Sequence, residues 1–190
     1  MRGDAMKSKQ NVQNITLSAM CFALGMVLPL ATMQLKALGQ ALSPMHLPVL
    51  LCGLIAGPYY GLCVGLLLPV TRSFVFGMPK IFPTAIAMSF ELAAYGSIAG
   101  YLYRRSKWKC ILAVYKALIP AMILGRILGG FVQYLLLGGN YGFTAWVAGY
   151  VTGTMPGLVL QLILIPVIML ALGRAGLIHF SKEKRAENIA

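Results

Sequence analysis

The chain has 190 residues, of which 59% are hydrophobic and only 11% are charged. A water-soluble domain of this size cannot bury so much apolar surface, so the composition excludes a soluble enzyme, a disordered protein and a disulfide scaffold. The 16 Lys and Arg against 4 Asp and Glu give a net charge of +12, which in a soluble protein would suggest nucleic-acid binding. The apolar runs are long and lack strand alternation, which predicts membrane-spanning helices and not barrel strands.

The first predicted span runs from Ile15 to about Gln34, after a polar segment at residues 1–14. A basic stretch before an apolar one also resembles a signal peptide. This apolar segment is longer than a typical signal-peptide core, and more spans follow, so we expect a retained helix.

The next apolar run, Leu47–Gly77, is too long for one helix and is interrupted at Gly57-Pro58. We therefore predict two helices that meet at this dipeptide. The first, Pro48–Gly57, would cover only about 15 Å. It must take residues from the preceding loop or not fully cross the membrane.

Three further spans complete the predicted fold. They cover about Thr84–Tyr103, Ile111–Leu137 with Pro120 inside, and Phe143–Leu172. The sequence thus predicts an all-α polytopic membrane protein, a compact bundle of six transmembrane helices over residues 15–173, with a basic tail at residues 174–190.

Basic residues collect in three short segments beside the apolar spans. Basic loops of this kind are typical of the cytoplasmic side of a membrane. With six spans, all three clusters fall on the cytoplasmic side, which predicts a multi-pass protein of the bacterial cell membrane with both termini inside. Topology explains these charges better than nucleic-acid binding, so we expect no nucleic-acid partner. The clusters are Arg2, Lys7 and Lys9; Arg104, Arg105, Lys107 and Lys109; and Arg174, Lys182, Lys184 and Arg185.

Small residues recur at a spacing that lets helix backbones touch. We expect these G-x-x-x-G pairs to close the protein's own bundle, with dimerisation as the alternative. The pairs are Gly53/Gly57, Gly61/Gly65, Gly96/Gly100, Gly125/Gly129 and Gly149/Gly153.

The sequence carries no motif for a metal or a cofactor. Its four cysteines form no C-x-x-C pair, and His46 and His179 lie far apart without zinc-motif neighbours. We therefore expect no metal, no cofactor and no enzymatic activity.

Charged residues inside the spans are costly and point to function. Arg72, Glu91 and Arg126 are of this kind, and Glu91 is the only acid in any span. Glu91 and Arg126 lie about 12 and 16 Å from the outer ends of their spans, so we expect them to form an ion pair. That pair could be purely structural or could contact a ligand directly.

The surplus of basic residues in the outer half favours a small anion such as a carboxylate. Lys36 and Lys80 could instead reach lipid phosphate, and the tyrosines could form an interfacial belt. The candidate substrate-binding residues are Lys36, His46, Arg72, Lys80, Glu91, Tyr95, Arg126, Gln133, Asn140 and Tyr141.

Ala19-x-x-x-Ala23 gives the first helix a smooth face that suits either internal packing or a partner helix. With this face, six short spans, the stretch Ser43–Pro48 and the turn Gly57–Leu62, the chain resembles the substrate-specific S components of energy-coupling factor (ECF) vitamin transporters. The resemblance implies that the chain binds a vitamin from outside. It also implies docking, through Ala19, Ala23 and Val27, on a transmembrane coupling protein driven by two cytoplasmic ATPases.

Two functions remain open from the sequence. The first is the vitamin-binding S component, with pantothenate favoured by the positive outer half and riboflavin, vitamin B6 and folate as alternatives. The second is a solitary secondary transporter or channel for a small organic solute that uses Glu91 as a proton site.

Overall fold

The structure, a computed structural model, describes residues 2–32, 44–106, 111–137 and 155–175. These residues form six α-helices and one π-helical turn, which confirms the predicted all-α class. Five of the helices are long and apolar enough to cross a membrane. The helices are α1 (Arg2–Thr32), α2 (His46–Ile55), α3 (Pro58–Phe76), α4 (Ile86–Arg105), α5 (Ile111–Leu137) and α6 (Met155–Arg174).

Helix α1 begins well before the predicted start at Ile15. Between Asp4 and Thr16 the sequence contains neither glycine nor proline, so nothing there breaks the helix. The apolar part of α1 that could span a membrane is Gln10–Leu30. The polar residues at the start of the chain therefore extend the first helix.

The predicted break between α2 and α3 is confirmed at Gly57-Pro58. Gly57 has a φ of 114°, a backbone conformation that other residues rarely adopt, and Pro58 opens α3. At the same turn the guanidinium of Arg104 donates a 2.6 Å hydrogen bond to the carbonyl of Ala56. A side chain on Gly57 would collide with that guanidinium. The C-terminal end of α4 is therefore hydrogen-bonded to the C-terminal end of α2.

The turn between α3 and α4 ends one helix and starts the next through local geometry. Gly77 stops α3 with a φ of 67°, and the Ser73 hydroxyl donates to the carbonyl of Pro79. A π-helical turn at Ile81–Ala85 then leads into α4.

Helices α2, α3 and α4 pack with their backbones in contact. A Cβ on Gly53 would lie 2.2 Å from the carbonyl oxygen of Gly96, and one on Gly61 would lie 2.7 Å from the same atom. Gly65 and Gly100 meet neighbouring backbone in the same way. In the described helices, the glycine pairs therefore close the protein's own bundle, as predicted.

Helices α5 and α6 complete the bundle on the other side of α4. Buried side chains of α2, α4, α5 and α6 form one apolar cluster, and those of α1, α2, α3 and α4 form a second. Helices α2 and α4 contribute to both clusters. The predicted start of the last span, Phe143, and the pair Gly149/Gly153 lie outside the described residues.

Candidate functional site

The contacts between helices bring the starts of α2 and α4 to one end of the bundle. His46 meets Glu91 near these starts, and Ala56 meets Arg104 near the ends, so the two helices run parallel. Helix α5 is antiparallel to them. Gly129 contacts Glu91, whereas Gly125, one turn earlier on α5, contacts Tyr95, one turn later on α4. We call the end at which α2 and α4 begin the His46 end.

A buried polar cluster lies at this end. Tyr95 donates a 2.9 Å hydrogen bond to Oε1 of Glu91, and Nε2 of His46 lies 3.7 Å from the same oxygen. The rings of His46 and Tyr95 are 5.3 Å apart, centroid to centroid. His46, Glu91 and Tyr95 are 4%, 3% and 0% exposed. Three predicted site residues from two helices therefore meet at one carboxylate.

Arg126 joins this group from α5. It is next to Gly125, which contacts the Tyr95 ring, and three residues before Gly129, which contacts Glu91. The approach depends on Gly125 and Gly129, because a Cβ on Gly125 would lie 2.2 Å from the Tyr95 ring and one on Gly129 would lie 2.8 Å from Cβ of Glu91. We call His46, Glu91, Tyr95 and Arg126 the polar cluster.

Glu91 and Arg126 lie at a similar level along the bundle, whereas their depth in a membrane and a direct contact between their charged groups stay predictions. Gly129 lies against Glu91, and Arg126 is three residues from that glycine on the same helix. Both charges therefore lie within one helical turn of each other along the bundle.

Chemically, the polar cluster combines one acid with three groups that can donate hydrogen bonds. A guanidinium, a phenol and an imidazole can each donate to a carboxylate, and arginine can do so through two parallel bonds. Such bonds are strengthened where water is excluded. The arrangement is suited to holding a small polar or anionic molecule among apolar helices.

Arg72 lies between α3 and α1. It is 4% exposed, its Nη1 donates a 3.0 Å hydrogen bond to the carbonyl of Met26, and its guanidinium lies 5.5 Å from the centre of the Phe76 ring. The side chain therefore joins two helices, a role that the sequence did not predict. Its predicted contribution to a ligand stays a prediction.

The other predicted site residues fall into two groups. Lys80 is exposed in the turn before α4, and Gln133 is half-buried on α5, seven residues after Arg126 and so on the same face. Lys36, Asn140 and Tyr141 lie outside the described residues.

The sequence analysis did not single out the buried amide of Gln161. Gln161 on α6 is 2% exposed and precedes the core residues Ile165 and Met169 by one and two turns. Its signal in the sequence was its isolation, as an amide inside a long apolar run. Attention to charged residues passed over it.

The face of α1 that carries the predicted docking residues points away from the bundle. Ala19 and Ala23 are exposed and Val27 is 60% exposed, whereas Ser18 and Cys21 on the opposite face are buried. We call Ala19, Ala23 and Val27 the outward alanine face. Among the described helices, these residues do not pack inside the bundle.

Comparison with known proteins places the chain in a family. A model of the family described as ECF transporter, substrate-specific component, matches residues 13–176, which is more than half of the chain. Neither a curated protein nor a solved structure matches it. Helical architecture and family match agree, and the chain belongs to the substrate-specific components of ECF transporters.

Proposed function

We propose that the chain captures a small carboxylate vitamin, with pantothenate favoured, from outside the cell. It then delivers the vitamin inward together with a transmembrane coupling protein and two cytoplasmic ATPases. The observation that carries this proposal is the buried polar cluster at one end of an apolar bundle, in a chain of this family.

Within the polar cluster, we assign recognition of the carboxylate to Arg126 and His46. Glu91 accepts a hydrogen bond from the Tyr95 hydroxyl and so holds the side chains of the cluster in place. Arginine and histidine can both donate to a carboxylate, and a charge-assisted bond is stronger than a neutral one. The remaining candidates would surround the entrance: Lys36, Arg72, Lys80, Gln133, Asn140 and Tyr141.

The outward alanine face is the surface that we assign to the coupling protein. Small side chains let a partner helix approach closely in the membrane. The three basic clusters favour an orientation with both termini in the cytoplasm, which puts the His46 end outside. The vitamin would then enter at the His46 end of the bundle, while the coupling protein would bind along the side formed by α1.

The binding half of the proposal is tested by isothermal titration of the purified protein with pantothenate, riboflavin, pyridoxal and folate. We expect saturable heat with pantothenate and its loss in Arg126→Gln. Arg105→Gln, at an exposed arginine on α4, is the matched control and should bind like the original protein. Absence of binding to all four vitamins would contradict the proposal.

A solitary transporter that uses Glu91 as a proton site is the second candidate. The supporting observation is that Glu91 is buried against His46 and Tyr95, two groups that also carry protons. Proteoliposomes separate the two functions. The S component requires the coupling protein and ATP for uptake, whereas a solitary transporter would respond to a proton gradient alone.

A further inference from the structure

The charged side chains at the His46 end restrict the net charge that a bound ligand can carry. The charged and titratable side chains of the described helices in this half come from α2 to α5, because the corresponding parts of α1 and α6 carry none beyond Cys21. They are His46 and Cys52 on α2, Arg72 on α3, Glu91 and Tyr95 on α4, and Arg126 and Tyr134 on α5; Lys80 is exposed in the turn before α4.

Within the polar cluster, the fixed charges already balance. Arg126 carries one positive charge and Glu91 one negative charge, Tyr95 adds none, and His46 adds a charge only when it takes up a proton. Arg72 keeps its positive charge, but its guanidinium lies outside the polar cluster, between α3 and α1 at the carbonyl of Met26. A carboxylate that enters the cluster therefore brings one negative charge in excess, which is costly where water is excluded.

His46 is the group that can remove this excess. Histidine ordinarily changes charge between pH 5 and 8, and its protonated ring donates through both nitrogens. Its Nε2 lies 3.7 Å from Oε1 of Glu91, so a proton on that nitrogen would lie directly beside the carboxylate. The paired His46 and Glu91 would then leave the charge of Arg126 for the ligand.

We propose that the site binds its ligand as a monoanion together with one proton, which His46 takes up. This inference rests on the proposed function of the polar cluster. It also narrows the ligand class, because one proton and one arginine neutralise a single carboxylate. A molecule with two carboxylates, such as folate, would leave one charge without compensation.

The sign of the resulting pH dependence follows from the proton count. The complex holds one proton more than the free protein and free ligand, so lowering the pH favours binding. Because one proton is taken up, each rise of one pH unit should lower the affinity by up to about tenfold. Below about pH 5 the ligand's own carboxylate becomes protonated and the trend ends.

The test is titration calorimetry of the intact protein with pantothenate at pH 7.5 in phosphate and in Tris, two buffers with different ionisation enthalpies. The difference in binding heat between the buffers gives the number of protons taken up per ligand. We expect a value that approaches one for the original protein and for His179→Gln, the other histidine of the chain. We expect zero for His46→Gln.

Pantothenol, which has a neutral alcohol in place of the carboxylate, is the ligand control. It should bind with no difference between the buffers, and melting curves establish that His46→Gln is folded. Pantothenate binding without a buffer effect, or an unchanged effect in His46→Gln, would overturn the inference while the proposed function stands. Absence of binding to every tested vitamin would contradict both the inference and the proposed function.

Discussion

The hydroxyl of Tyr95 donates a 2.9 Å hydrogen bond to Oε1 of Glu91, one helical turn earlier on α4. Both side chains are buried, and a glycine of α5 packs against each of them. The bond therefore fixes the carboxylate by short-range contacts before any ligand arrives. A site that is already ordered spends less of its binding free energy on arranging side chains.

Tyr95→Phe tests this bond directly. The substitution keeps the ring against Gly125 but removes the donor to Glu91, which should lower the free energy of unfolding by about 1.5–3 kcal/mol. Thermal and denaturant unfolding in detergent measure the change. Tyr134→Phe is the control because that side chain is 51% exposed. Equal changes in unfolding free energy for the two variants would show that the buried hydrogen bond adds nothing to stability.

Arg72→Gln separates two roles of that arginine. The shorter glutamine side chain cannot reach the carbonyl of Met26, so we expect the contact between α1 and α3 to weaken by about 1.5–3 kcal/mol. Arg105→Gln, which loses a bond only to exposed Tyr101, should change stability by less than about 0.5 kcal/mol. Unchanged stability with a 10- to 150-fold loss of pantothenate affinity, about 1.5–3 kcal/mol, would instead assign Arg72 to the ligand.

Ala19→Trp and Ala23→Trp test the outward alanine face. We expect both variants to bind the vitamin normally in calorimetry and to lose uptake in proteoliposomes that contain the coupling protein and ATPases. A tryptophan would hold the partner helix away, because close approach requires small residues. Ile123→Trp, at a 56% exposed position on α5, is the control for adding a bulky side chain to an exposed surface of the bundle. Normal uptake in the alanine variants would assign this face to lipid.

Gly61→Ala tests the backbone contact of α2, α3 and α4. The added Cβ would lie 2.7 Å from both Cα of Gly53 and the carbonyl oxygen of Gly96, so the helices must separate. Overpacking of this kind costs about 1–3 kcal/mol of unfolding free energy. Cys63→Ala, at an exposed position on the same helix, should have little effect. A Gly61→Ala variant as stable as the control would contradict the tight packing.

The orientation in the membrane is tested by cysteine labelling in a variant without the four native cysteines. A membrane-impermeant maleimide added from outside should label Asn140→Cys and not Lys107→Cys, because the basic loop at residues 104–109 is expected inside. A permeant maleimide should label both and establishes that both sites are reactive. The reverse pattern would invert the proposed topology.

Features that depend on local backbone chemistry were predictable from the sequence. The break at Gly57-Pro58 follows from a missing amide hydrogen and a positive φ, and the glycine pairs follow from helical spacing. Helix α1 extends to Arg2, before the predicted span at Ile15, because the polarity of residues 1–14 says where a membrane ends and not where a helix does. Polarity and helix propensity are separate properties.

The site was predictable as a set of residues but not as an arrangement. Glu91 stands out as the one acid in the spans, yet its contact with His46 depends on how α2 and α4 lie side by side. The bond from Arg72 to Met26 joins residues 46 positions apart and leaves no periodic signal. Contacts of this kind are set by helix packing, which no local pattern encodes.

Where glycine backbones touch along α2, α3 and α4, the three helices cannot slide past one another without first moving apart. They should therefore move as one rigid body during a transport cycle, while displacement is taken up at their borders with α1, α5 and α6. His46 and Glu91 both belong to this rigid body. The half of the ligand site that they form would keep its geometry from capture to release, so release must depend on withdrawal of Arg126 with α5 or on loss of the proton that His46 takes up.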